Sequence, residues 1–459
     1  MNHRELTRRA FLAATTTAAL SACQTTPMNT ARVVPGKVSP NEKLNIAAVG
    51  IGGMGRNNIA ACAANDNIVA LCDVDHNHAG RIFDLYPGAK RFTDYRELFD
   101  KASGEFDAVI CATPDHTHAV ICMAAIQHGK HLFCQKPLAH SIHEVRAITL
   151  AARVAGVQTQ MGNQGHSSNE IRLVKEWIAD GAIGPVHEVL AWSDRPVGGD
   201  PWSDFPIMAR PSDTPPVPES LNWDLWIGPA PMRPYHPIYH PLSWRGFYDF
   251  GTGPLGDMGC HILDPAFYAL DLGHPDWVQA ATTHYEAGVQ DETYPRACVV
   301  TYQFPARGAM PPVKLTWYDG RLKPPLPAML PGDFELPNNG ALLVGEKGVI
   351  LHKSHGAGGA EILPESRRQA YRDPAPTIPR VEQTGAPHEH DWVRACKDGK
   401  PASSSFEYGG PLTEMVLAGV MAIRMKDRRL EWDGESMTVT NVPEAIALVN
   451  PPYREGWVL

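Results

Sequence analysis

No two of the nine cysteines in this 459-residue chain stand in a CxxC spacing, so neither a zinc ribbon nor a dithiol redox motif accounts for them. No apolar run reaches the roughly 18 residues that a membrane-spanning helix needs. Basic residues are in the minority: 41 Lys and Arg stand against 50 Asp and Glu, a formal charge of −9, which argues against a nucleic-acid partner. Internal repeats are absent too. What remains is a soluble, globular composition, 43% hydrophobic and 20% charged, on a chain long enough for two domains.

Residues 1–42 stand apart from the rest. Thr7-Arg8-Arg9-Ala10-Phe11-Leu12 precedes the mild apolar run AATTTAAL and reads as a twin-arginine export signal, which places the protein in the periplasm. Leu20-Ser21-Ala22-Cys23 is similar to a lipoprotein signal-peptidase box. Two outcomes stay open: a lipid anchor on Cys23, with the Thr- and Pro-rich residues 24–42 as a tether, or ordinary cleavage nearby. Several of the other eight cysteines (Cys72, Cys111, Cys134, Cys298) lie inside apolar runs. Buried free thiols are expected, because this export route carries proteins that folded in the reducing cytoplasm.

Residues 43–163 read as a dinucleotide-binding domain. The apolar run LNIAAV enters Gly50-Ile51-Gly52-Gly53-Met54-Gly55; a helical stretch and a second apolar run, IVALCDVD, follow. Gly50 allows a tight turn, Gly52 lets the backbone approach a pyrophosphate, and Gly55 lets helix and strand pack closely. The unpaired amides at the helix start, around Gly53 and Met54, suit the anion. Asp73 ends the second strand, where a carboxylate holds the adenine ribose hydroxyls and repels a 2′-phosphate; NAD is therefore expected over NADP, with Asp75 as a second acid that could share the role. FDAVICAT, HTHAVICMAAIQHG, KHLFCQKP, SIHEVRAITLAARVAG and VQTQMGN continue the strand–helix alternation, with a capping box at Ser141 and Glu144. That order predicts a doubly wound parallel sheet. Thr113, Pro114, His116, Gln135 and Lys136 fall at strand ends, where ligands lie in such sheets.

Residues 164–459 read as an α+β domain with an open-faced, largely antiparallel sheet built from segments such as ACVVTYQF, VKLTWYDG and GALLVGEKGVILHK. A loop-like stretch, 196–250, is rich in Pro, Trp, His and Tyr; aromatic faces with polar edges suit sugars, and an oligomer contact suits them nearly as well. Asp257 and His261 in GTGPLGDMGCHILDP are spaced to share one helical face, where the carboxylate could orient the imidazole. His236 and His240 have the same spacing, but Pro237 breaks a helix there, and no metal site is expected.

Together the glycine turn, Gln135-Lys136-Pro137 and Asp257-Met-Gly-Cys-His261 resemble the Gfo/Idh/MocA family of oxidoreductases, over roughly residues 43–459, and an exported bacterial subgroup of it in particular. The resemblance implies an NAD-dependent enzyme acting on a sugar or polyol, in which Lys136 hydrogen-bonds the reacting hydroxyl, His261 takes its proton and Asp257 positions substrate or histidine. It further implies a cis bond before Pro137, homo-oligomers, and substrate contacts from Asn163, His166 and Arg195. The family usually has Glu where this chain has Gln135, which removes a negative charge beside Lys136. Three functions follow from the resemblance: a sugar dehydrogenase working on tightly bound NAD, a redox-neutral NAD-dependent glycoside hydrolase, and a non-catalytic sugar-binding protein that kept the fold.

Overall fold

Strands Asn45–Val49 (β1), Asn67–Cys72 (β2), Lys90–Phe92 (β3), Ala108–Cys111 (β4), His131–Cys134 (β5) and Thr159–Met161 (β6) pair in the order β3-β2-β1-β4-β5-β6, every pair parallel. They come from a computed structural model that describes residues 42–196, 207–283 and 286–459. The export signal, Cys23 and the tether lie outside the described residues. β4 and β5 are buried along their whole length, which is why they read as unbroken apolar runs: parallel strands are covered on both faces. Chain direction across the sheet reverses between β1 and β4, so the carboxyl ends of β1, β4 and β5 open onto one crevice.

The helix Pro387–Asp398, far along the chain, covers one face of this sheet. Trp392 is fully buried against Phe133, ring centroids 5.6 Å apart, with Val393 and Cys396 in the same cluster. The core of the first sheet thus depends on residues well beyond 163.

Among the described residues the second sheet has nine strands, ordered β13-β12-β11-β7-β10-β9-β8-β14-β15. Its central members are Val186–Trp192 (β7), Trp277–Thr282 (β8), Cys298–Phe304 (β9), Val313–Tyr318 (β10), Gly340–Gly345 (β11) and Val349–His352 (β12); Glu361–Leu363 (β13), Leu430–Asp433 (β14) and Thr438–Val439 (β15) flank them. Only β7 and β10 run parallel; the other paired strands are antiparallel. β9 alternates buried and half-buried positions, the signature of a sheet with one covered face. The covering element is the helix Phe406–Arg424, which packs against β8 and β9 and also against Ile142–Ala155 of the first layer and Gly253–Ile262. It is buried along most of its length because it touches neighbours on most sides. No described helix is long and apolar enough to cross a membrane. The eight cysteines from Cys62 onward are all buried and free, as expected.

Candidate active site

Gly50 turns the chain at φ +79°, and a Cβ there would stand 2.7 Å from the main chain of Ala112. A Cβ on Gly55 would meet the Gly50 carbonyl oxygen at 2.0 Å. Both positions therefore require glycine: the turn rests directly on the end of β4, and the helix Gly55–Ala63 starts directly on the turn. Asp73, at the end of β2, accepts from the amides of Ile51 (2.8 Å) and Asp75 (3.0 Å), so its carboxylate also ties the second strand to the glycine turn. Burial raises its pKa, against the pull of those two amides.

These strand ends line a cavity of about 630 Å³. Gly50, Gly52, Gly53, Met54, Asp73, Thr113, Pro114, Gln135 and Lys136 form its first-domain wall; Arg195, Asp257, His261 and His355 face them from the second domain. Trp226, His240, Trp244 and Arg245, from the aromatic stretch, close a third side. The residues fit a dinucleotide: glycine positions with no room for a side chain, free amides at a helix start, and a carboxylate at the ribose position.

At the second-domain end of the cavity one carboxylate gathers the cations. Lys136 Nζ donates to Asp257 Oδ1 (2.8 Å) and to the Asp257 main-chain oxygen (2.6 Å). Arg195 Nη1 pairs with Asp257 Oδ2, and Arg245 Nε stands 3.8 Å from Oδ1. Burial alone would raise the pKa of Asp257, but Lys136, Arg195 and Arg245 outweigh it and hold the carboxyl well below the usual range. The bond before Pro137 is cis.

His261 is 3% exposed, and its Nδ1 has no hydrogen-bond partner among the described residues. Burial first, then Lys136 and His355, push its pKa well below the ordinary histidine value, so the ring is neutral. Its spacing from Asp257 does put both on the helix Gly253–Ile262, yet the carboxylate does not orient the imidazole. The oxygens of Asp257 are taken by Lys136 and Arg195, which outcompete a neutral ring for a charged acceptor.

Several expected contacts lie elsewhere. His166 and Asn163 do not line the cavity. They hold Asp264: His166 Nδ1 at 2.9 Å from Oδ1, Asn163 Nδ2 at 3.1 Å from Oδ2, with Tyr408 OH as a further donor. A carboxylate only 1% exposed needs such donors, and it engages His166 through Nδ1 and Asn163 through its side-chain amide. His116 is also away from the cavity, its ring nitrogens facing the carbonyls of Phe250 (3.2 Å) and Trp226 (3.0 Å). Asp75 does not share the role of Asp73. It caps the helix His76–Leu85 and pairs with His240 Nε2 at 2.9 Å. Gly55 packs against Gly50 and does not line the cavity. Gln135 lines the cavity and donates to Asn58 Oδ1 (2.9 Å), and Asn58 donates to Glu389 Oε1 (2.7 Å).

Sequence reasoning missed His355, Arg245, Trp226 and Trp244. His355 had one usable signal, the glycine-rich link KSHGAGG between two strands; the others lay in a stretch read only as aromatic loop. Cys111, His118 and Cys134 cluster closely enough for a metal, but the ring nitrogens of His118 face the carbonyl oxygens of Pro137 (2.9 Å) and Thr113 (2.8 Å). That histidine braces the two strand ends flanking Lys136 and presents no free nitrogen to an ion.

Residues 44–163 match the Gfo/Idh/MocA oxidoreductase-family model for an NAD-binding Rossmann fold, and residues 169–298 match the family's C-terminal alpha/beta domain model. Levoglucosan dehydrogenase of Pseudarthrobacter phenanthrenivorans is 26% identical over 240 residues, 50% of this chain and 52% of that protein. Inositol 2-dehydrogenase of Rubrobacter xylanophilus is 32% identical over 148 residues, 31% of this chain and 42% of that one. The chain thus spans about half the length of the curated relatives it matches. An inositol dehydrogenase homolog from Azotobacter vinelandii, solved with NADH and myo-inositol, shares the fold at TM-score 0.55 and 15% identity, covering 85% of this chain and 98% of that one.

Proposed function

Because this chain belongs to the Gfo/Idh/MocA family of oxidoreductases and carries its NAD-binding Rossmann domain, we propose that it oxidises a hydroxyl of a sugar or polyol on bound NAD. The observation that carries this reading is the convergence of Lys136, Asp257 and His261 on the cavity that begins at the glycine turn. Similarity to dehydrogenases of levoglucosan and inositol supports the substrate class.

Gly50, Gly52, Gly53 and Asp73 would hold NAD⁺, which when bound would supply the oxidant for the carbinol C–H bond. The chain supplies the proton chemistry. His261, neutral and buried, takes the hydroxyl proton on a ring nitrogen. The Lys136 ammonium stands where negative charge grows on that oxygen. Asp257 fixes Lys136 by two hydrogen bonds, one from its carboxylate and one from its main-chain oxygen. Arg195 and Arg245 leave a surplus of positive charge around the reacting oxygen. The Asp73 carboxylate disfavours a 2′-phosphate, so NAD is the cofactor rather than NADP.

Trp226 Nε1 donates to His240 Nδ1 (3.0 Å), and His240 pairs with Asp75; these bonds pin the aromatic stretch over the crevice. Such a cover supports slow loss of the dinucleotide. That property suits an enzyme exported with its cofactor inside, as Arg8-Arg9 and the following apolar run suggest, to a periplasmic or lipid-anchored location. Pairing of copies through the open face of the second sheet belongs to the same reading and rests on the family resemblance. The test is whether the purified protein carries a nucleotide that a monosaccharide or inositol reduces.

A further inference from the structure

His355 lies on the link between β12 and β13, a segment with no regular structure beyond a single turn, yet its position is tightly fixed. Gly356 has φ +61°, and a Cβ there would stand 1.9 Å from the Gly165 carbonyl oxygen, so the two backbones touch. Ser168 Oγ donates to the Gly356 carbonyl, and Ser354 Oγ is 2.6 Å from His355 Nδ1. The result is an imidazole tilted against that of His261, ring centroids 4.0 Å apart at 42°, with both rings lining the cavity.

We propose that His355 is a specificity-determining residue that binds the hydroxyl next to the one oxidised, so that the site selects vicinal diols. This rests on the proposed function, in which His261 takes the reacting hydroxyl. Two imidazoles in ring contact present adjacent polar edges, and adjacent ring hydroxyls of a sugar are the matching pattern. The charged groups facing the pair are Lys136, Arg195 and Asp257. Burial, then the cations Lys136 and Arg195, lower the pKa of His355 to about 4, with Asp257 opposing. A neutral imidazole has one donor and one acceptor nitrogen. Ser354 engages Nδ1, which leaves Nε2 for the ligand. A substrate lacking the second hydroxyl strands that nitrogen, and sites built this way reject the deoxy analogue strongly.

The experiment is calorimetric titration of the NAD-loaded, full-length protein with monosaccharides and inositols, then with each monodeoxy analogue of the tightest binder. Wild type is compared with H355F and with H355A, the latter covering the case in which phenylalanine does not fit; retained nucleotide certifies the fold. One analogue, lacking a hydroxyl beside the oxidised carbon, is expected to bind wild type about tenfold or more weakly. That penalty is expected to vanish in both variants, with KM rising for the parent sugar. Equal penalties in wild type and variants overturn the role of His355 while leaving the proposed function standing. A nucleotide-loaded protein that neither binds nor oxidises any member of the panel overturns both.

Discussion

The ammonium of Lys136 is bonded twice to a single residue 121 positions away, to the carboxylate of Asp257 at 2.8 Å and to its main-chain carbonyl at 2.6 Å. The lysine is therefore aimed by a fixed backbone atom as well as by charge. Asp257 also holds Arg195, so its loss frees two cations in a buried wall. Asp257→Asn is expected to lower kcat/KM by about 10²–10³-fold, the scale of one misplaced electrostatic group at a reacting oxygen. Steady-state kinetics on a protein shown to retain nucleotide is the check; a fall below threefold removes Asp257 from the mechanism.

Gln135 stands where the family resemblance leads one to expect glutamate, and its amide donates to Asn58, which in turn donates to Glu389. A glutamate cannot make the first of these bonds. It would also add a second buried carboxylate to a network whose Glu389 already has a pKa raised by burial. Gln135→Glu should therefore cost about 1–3 kcal/mol of stability, measured by urea unfolding. An unchanged or higher midpoint would show that the glutamine is not there to satisfy this network.

His166 belongs to the fold rather than to the substrate. Removing it strips a donor from Asp264, which is 1% exposed. His166→Ala is expected to lose about 1.5–3 kcal/mol of stability, with KM for the sugar within about twofold of wild type. A raised KM at unchanged melting temperature would restore it to the binding site.

Two buried histidines set an acid limit on the fold. His388 Nδ1 is 2.7 Å from Ser167 Oγ while Nε2 faces the Met161 carbonyl (2.7 Å), and His131 Nδ1 accepts from the Gln158 amide (3.0 Å). Burial lowers both pKa values to about 4. The unfolded chain takes up these protons near pH 6.5, while the folded chain refuses them until about pH 4. Unfolding therefore binds more protons, and stability is full above pH 6.5 and lost as pH falls toward 4. Melting temperature should drop across that window with an uptake of roughly two protons from this pair, and His388→Gln should flatten the slope by about one. A slope unchanged in that variant would show that His388 stays neutral in neither or both states.

What the sequence made legible follows from local physics. The turn at Gly50–Gly55 was readable because only glycine fits there, and the buried strands because parallel sheets demand apolar runs. The capping box at Ser141 and Glu144 was readable for the same local reason, and it is present. The partner of Asp257 was not readable. Spacing says that Asp257 and His261 share a helical face, but which polar group wins the carboxylate is decided by Lys136 and Arg195, brought in by other elements. Periodicity likewise could not tell that Trp392 would cover the first sheet, or that the glycine-rich link would carry His355 to His261. Those contacts depend on tertiary packing, which one-dimensional pattern does not encode.

The most direct test of the account compares native protein with Lys136→Met, both purified with their nucleotide and mixed with a panel of monosaccharides and inositols while nicotinamide absorbance is followed. The account predicts that both proteins yield NAD on denaturation, that wild type shows reduction of the bound nicotinamide by at least one sugar, and that the variant shows none on the same timescale. Equal reduction in the two proteins, or a wild type that can neither retain nor bind the dinucleotide, would contradict it.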